Sequence, residues 1–139
     1  MTLSDYSDME KEIINAPEPK ILAAGSEVKA RIISVRSGES DKNNARWYTP
    51  VFDVPSDPMV SEFNTFFWDP LEKGKLEPKQ FERNKYQFSQ FVKAFGIDLS
   101  RPFSWEDDLP GKEGWVILSI RKSEEYGDQN QIKKFVIKR

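Results

Sequence analysis

The succession of hydrophobic periods along this chain restricts its fold more than any other feature. From Val28 the side chains alternate with a period of two: Val28, Ala30, Ile32 and Ser34 fall on one face, Lys29, Arg31, Ile33 and Val35 on the other. Strand-like patterning continues through Arg46–Val54 and Val60–Phe67. It then gives way to one stretch, Pro78–Phe95, in which Phe81, Phe88, Val92 and Phe95 recur at helical spacing, with Lys85 filling the gap on that face. Pro78 suits the first position of a helix and Gly96 the left-handed residue that closes one. Alternation returns over Trp115–Lys122 and Gln131–Lys138.

Turn chemistry separates these segments. The polar run Ser37–Ala45 predicts a hairpin loop, Ser56-Asp57-Pro58 a turn, and Ser123–Asn130, with Tyr126-Gly127-Asp128 at its centre, a second hairpin. Pro50 has no N–H to give to a ladder, so it predicts a bulge or an edge position in the second strand. Ile97–Lys112 reads as a connection. Three strands, one helix and two closing strands predict a mainly β domain: a five-stranded OB-type barrel with one helix between strands three and four. A ferredoxin-like or split-β arrangement needs a helix after the first strand, and none is readable there.

Composition limits what such a domain does. A chain of 139 residues fits one domain. The boundaries predicted are a flexible acidic leader over 1–24 and the folded domain over 25–139. In the leader, Met9–Ile14 forms at most a transient helical turn, and Pro17 and Pro19 enforce extended backbone. There is no histidine and no cysteine, which removes the commonest general base, the commonest zinc ligand and any thiolate site. No Gly-rich phosphate loop or nucleophile motif is present. Glu106-Asp107-Asp108 invites a magnesium reading, but acids ahead of Pro110-Gly111 in a loop fit solvated or capping roles better. The expectation is a binding protein, not an enzyme, with no cofactor and no metal site. Nothing resembles a membrane span or a signal peptide, so no membrane contact and a cytoplasmic location (the host cytoplasm if the genome is viral) are expected.

The net charge of −2 does not advertise a nucleic-acid binder. Its distribution does more. Residues 1–27 hold six acids and two bases, which leaves the remainder net positive, and Gln131–Arg139 holds four bases and no acid.

Three blocks carry a resemblance. They are the hairpin region Val28–Val54 with Trp47, Val51 and Phe52; the helix ending Phe91-Val92-Lys93-Ala94-Phe95-Gly96; and Asp108-Leu109-Pro110-Gly111-Lys112-Glu113-Gly114-Trp115-Val116 followed by Glu125–Phe135. In that order they resemble phage-type single-stranded DNA-binding proteins with an OB fold, over roughly residues 25–138. The resemblance implies sequence-independent binding of single-stranded DNA in replication, recombination or repair. Many replication proteins of this kind end in an acidic tail that recruits partner enzymes. Here the chain ends on Lys138 and Arg139, and the acidic N-terminal segment is the candidate contact for replication proteins.

A single-strand binder needs aromatic faces for bases and cations along the phosphates, each stack contributing about 1–3 kcal/mol. Four Trp, four Tyr and ten Phe make 13% of the chain aromatic, a surplus over core needs. Trp47 and Tyr48 point to opposite faces of a strand, so one is core and the other a candidate platform, with packing of both in the domain, one of them against the leader, as the alternative. Asn64-Thr65-Phe66-Phe67-Trp68 holds too many rings for one strand face, which makes Phe66 and Trp68 candidates, with packing of Trp68 on the helix as the alternative. Tyr126 sits at a turn tip. Trp115 is expected in the core or against the helix. The candidate cations are Lys29, Arg31, Arg36, Lys42, Arg46, Arg121, Lys122, Lys133 and Lys134, a basic stripe across the strands beside those rings, with Lys138 nearby in sequence. A competing reading is an OB-fold adaptor that makes protein–protein contacts in a replication complex without touching DNA.

Overall fold

The computed structural model describes residues 2–138. Six strands, β1 Glu27–Glu39, β2 Arg46–Asp53, β3 Phe63–Asn64, β4 Phe67–Trp68, β5 Glu113–Arg121 and β6 Gln129–Val136, form one antiparallel sheet in the order β3-β2-β1-β5-β6, with β4 also beside β2. Among the described residues three α-helices accompany it, α1 Glu10–Ile14, α2 Pro78–Phe95 and α3 Trp105–Asp108, together with 3-10 helices at Ser7–Met9 and Pro70–Lys75. Among the described residues the sheet is not closed by hydrogen bonds into a barrel. Its end strands β3 and β6 instead flank a cleft of about 280 Å³.

The third expected strand is divided, and Pro50 supplies the reason. The pairs Trp47↔Trp68, Tyr48↔Phe67, Val51↔Asn64 and Phe52↔Phe63 keep one register, but the ladder opens between them. Pro50 has no N–H to donate, so Thr65 is held there by a single bond from its own N–H to the Pro50 carbonyl, 3.3 Å. The proline lies inside the sheet, not at its edge, paired with Val35 and buried. The bulge occurs instead in β1, between Ile32 and Ser34, and bends that strand. The first half of β1 pairs with β5 and most of the remainder with β2. Because the third strand becomes β3 and β4, the helix falls between the fourth and fifth strands, and the sheet has six strands where five were expected.

Strand β1 also runs on to Glu39, through the first third of what reads as loop. Its polar end pairs with Arg46–Thr49 beyond the core, where a hairpin needs backbone ladder bonds but no apolar face.

α2 has the expected bounds, with Pro in its first turn and Gly96 left-handed (φ 64°), its N–H bonded to the Val92 carbonyl. Its buried face is Phe81, Asn84, Phe91, Val92 and Phe95. Phe91 is fully buried, edge-on to Phe52 and close to Phe67, Phe95, Trp105 and Phe135. Lys85 is exposed; Asn84 takes the position on the buried face that the periodicity had assigned to it. Gly114 lets β5 approach α2, since a Cβ there would stand 2.7 Å from the Ala94 carbonyl oxygen.

Within the stretch read as leader, residues 20–22 are tied to the domain. Lys20 bridges Val60 in parallel, with Lys20 N–H donating to Met59 O and Ser61 N–H to Lys20 O, both 2.8 Å. The Lys20 ammonium pairs with Asp57 at 2.8 Å. The buried Asn130 side chain accepts from Leu22 N–H and donates to Leu22 O. No helix among the described residues is long and apolar enough to cross a membrane.

Candidate nucleic-acid interface

Alternation along β2 decides which aromatic residue is buried. Ile32, Val35, Pro50 and Phe52 face the core, and Tyr48 follows them. Its ring stacks on Trp105 with centroids 4.3 Å apart and planes 1° from parallel, and burial raises the pKa of its hydroxyl above the ordinary tyrosine value. Trp47 therefore points to the opposite face. There it lies directly over Gly38 of β1: a Cβ on Gly38 would meet the indole Cζ2 at 2.7 Å. The glycine gives the indole a flat seat and fixes its tilt.

Register places Trp68 beside Trp47 on this outer face, and Phe66, two residues earlier, beside both. Phe66 is 5.9 Å from Trp47 between ring centroids, and 4.9 Å from Trp68 in an edge-on arrangement. Phe66 sits where the ladder is open and is 48% exposed. Trp68 is half-buried against Ala45, Leu76 and Phe81, so its contact with α2 and its place in the aromatic group coexist. Asn84 of α2 completes the edge strand: its carbonyl accepts from Trp68 N–H and its amide donates to Trp68 O, both 2.8 Å.

The candidate cations divide by their partners. Arg31 forms a two-bonded pair with Asp53 (3.1 and 2.6 Å), and this carboxylate raises the arginine pKa further. Arg46 points away from Trp47 and stands 3.7 Å from Glu39. Among the described residues Lys29, Arg36, Lys42, Arg121, Lys122, Lys133 and Lys134 make no ion pair. Arg36 pairs with Thr49 one step from Trp47 on the outer face. Arg121, bonded to Gln129 at 3.1 Å, lines the cleft between β3 and β6, whose other wall includes Asn64 and Phe66. Lys42 lies in the β1–β2 turn; Lys122 and Tyr126 lie in the β5–β6 turn, Tyr126 being 74% exposed.

The structure thus brings together Trp47, Phe66, Trp68, Arg36 and Arg121. It sets Lys29 and Lys134 elsewhere on the sheet, opposite Trp115 and Ile117 in register, so the cations do not make one continuous stripe. Trp115 faces away from α2 and not toward it, because Gly114 takes the helix-facing position; the Lys138 ammonium stands 4.7 Å from its ring centroid. Of the basic C-terminal residues, Arg139 lies outside the described residues. Asp107 and Asp108 close a capping arrangement at α3: Ser104 Oγ accepts from Asp107 N–H at 3.2 Å, and Asp108 accepts from Ser104 N–H at 2.7 Å. Sequence reading passed over Gly38 and Asn84. A glycine at the end of a hairpin strand, across from a tryptophan, was a usable signal for the first; nothing local marks the second.

No protein-family model and no curated protein sequence matches the chain.

Proposed function

We propose that this protein belongs to the class of nucleic-acid-binding domains with an OB-type barrel, here open along one seam. The strand order β3-β2-β1-β5-β6, with β3 and β6 on either side of one cleft, supports this reading. Within that class the reading is narrower: a sequence-independent binder of single-stranded DNA, acting in replication, recombination or repair of a phage-type genome.

The single observation that carries it is the aromatic group Trp47, Phe66 and Trp68 on the sheet face turned away from the core, with the uncompensated cations Arg36 and Arg121 at its margins. Phe66, half-exposed beside two indoles, offers a ring face that the buried aromatic network does not use. Every base has a π-face, so stacking on such a group is indifferent to sequence, while the cations hold phosphates. The acidic N-terminal segment leaves Leu3, Tyr6, Met9, Ile13 and Ile14 exposed beside Asp5, Asp8, Glu10 and Glu12. Apolar side chains set among acids suit a contact with replication proteins, and favour protein recruitment as an accompaniment to DNA binding.

The test is a tryptophan-fluorescence titration with oligo-dT at low salt. Quenching is expected, and Trp47→Ala weakens binding by the stack it removes, about 1–3 kcal/mol or roughly five- to 150-fold in Kd. A folded protein whose fluorescence and mobility ignore oligo-dT at low salt rules the reading out and leaves the protein–protein adaptor.

A further inference from the structure

A groove of about 400 Å³ lies between the outer aromatic group and the first half of α2. Phe66 and Trp68 form its sheet-side wall, and Lys79 and Arg83 stand on its helix side. Phe66 also borders the cleft that holds Arg121, so its ring is the ridge between the two depressions.

Charge compensation around the groove is uneven. Lys75 pairs with Glu72 and Lys85 with Glu82. Lys79 and Arg83, one helical turn apart and both exposed, make no ion pair among the described residues, and Glu77 is the single acid on the rim. Gln80 and Gln87 add neutral amides. The aromatic wall does not slide, because Asn84 bonds both backbone groups of Trp68 and ties that residue to the helix.

We propose that an unpaired DNA strand crossing Trp47 and Phe66 does not end at the sheet but turns over the Phe66 ridge into this groove. A base lies against Phe66 and Trp68, and its phosphates meet Lys79 and Arg83. This rests on the single-strand-binding reading and extends its site onto α2, to two cations outside the strands. Apolar wall, uncompensated positive rim and amide donors together match a nucleotide better than they match an acidic peptide, which would leave the ring faces unstacked, or an apolar helix, which would bury both cations.

The test compares the full chain with Lys79→Gln/Arg83→Gln, Trp47→Ala and Lys93→Gln, a control at the exposed far end of α2. Kd for fluorescein-labelled oligo-dT is measured across a range of lengths and from low to moderate salt. On long oligomers the double variant is expected to lower the slope of log Kd against log salt by about 1.4, since each phosphate contact on a single strand contributes about 0.7. On oligomers too short to pass the ridge it binds as the parent does, and Lys93→Gln matches the parent throughout. A double variant with parental slope and affinity at every length, alongside a weakened Trp47→Ala, overturns the groove and leaves the sheet-face reading standing. Absence of oligo-dT binding by the parent overturns both.

Discussion

Gly38 and Trp47 show how far one missing Cβ shapes this surface. The indole occupies space that any side chain at 38 would claim, so the platform's orientation is set by a residue with nothing to contribute to binding itself. Gly38→Val keeps the strand, since valine favours extended backbone, but drives the ring from its seat. The expected outcome is an unchanged far-ultraviolet circular dichroism spectrum, a shifted Trp emission, and oligo-dT affinity lowered to about that of Trp47→Ala. Parental affinity from a folded Gly38→Val protein contradicts that role. Tyr48 illustrates the opposite fate. Alternation made it plain that Trp47 and Tyr48 part company, but not which goes in. The answer came from Trp105, distant in sequence, whose ring is parallel to Tyr48 and only 4.3 Å away.

At the level of elements, α2 was legible end to end because three local signals agree: apolar spacing, Pro78 at the start and a left-handed Gly96 at the close. Its buried face was less so. Asn84 is buried because it serves the backbone of Trp68, a tertiary duty that no periodicity registers. The third strand failed for a like reason, since its break is caused by Pro50 on a neighbouring strand and not by its own residues. The segment at Lys20 yields a prediction in pH. The hydrogen bond from Lys20 holds the Asp57 carboxyl below the ordinary aspartate range, helped by Met59 N–H. A carboxyl with a lowered folded pKa stabilises above its unfolded value and loses that contribution as pH falls through the folded one. Protection of the Lys20 and Ser61 amides is therefore expected to hold at neutral pH and to drop below about pH 4. Asp57→Asn lowers it already at neutral pH. Equal protection of both amides in the parent and in Asp57→Asn contradicts the anchoring.

Across the whole molecule, aromatic residues serve two distinct ends. Phe52, Phe67, Phe91, Phe95, Trp105 and Phe135 form one buried network that fills the interior between sheet and helix. Trp47, Phe66 and Trp68 lie on the opposite side of the same strands. Composition announced a surplus of rings, and the order of periods gave the sheet and helix. Their sorting into inside and outside depended on strand pairing, which is why the candidate cations, scattered across four strands and two turns, could be named in sequence but not grouped.

Four tryptophans give four indole N–H signals, enough to locate the interface in one experiment. In a two-dimensional ¹⁵N–¹H spectrum recorded through an oligo-dT titration, the account predicts that the indole signals of Trp47 and Trp68 shift or broaden while that of the buried Trp105 stays in place. Signals of Trp47 and Trp68 that remain unmoved with DNA bound at saturation contradict it.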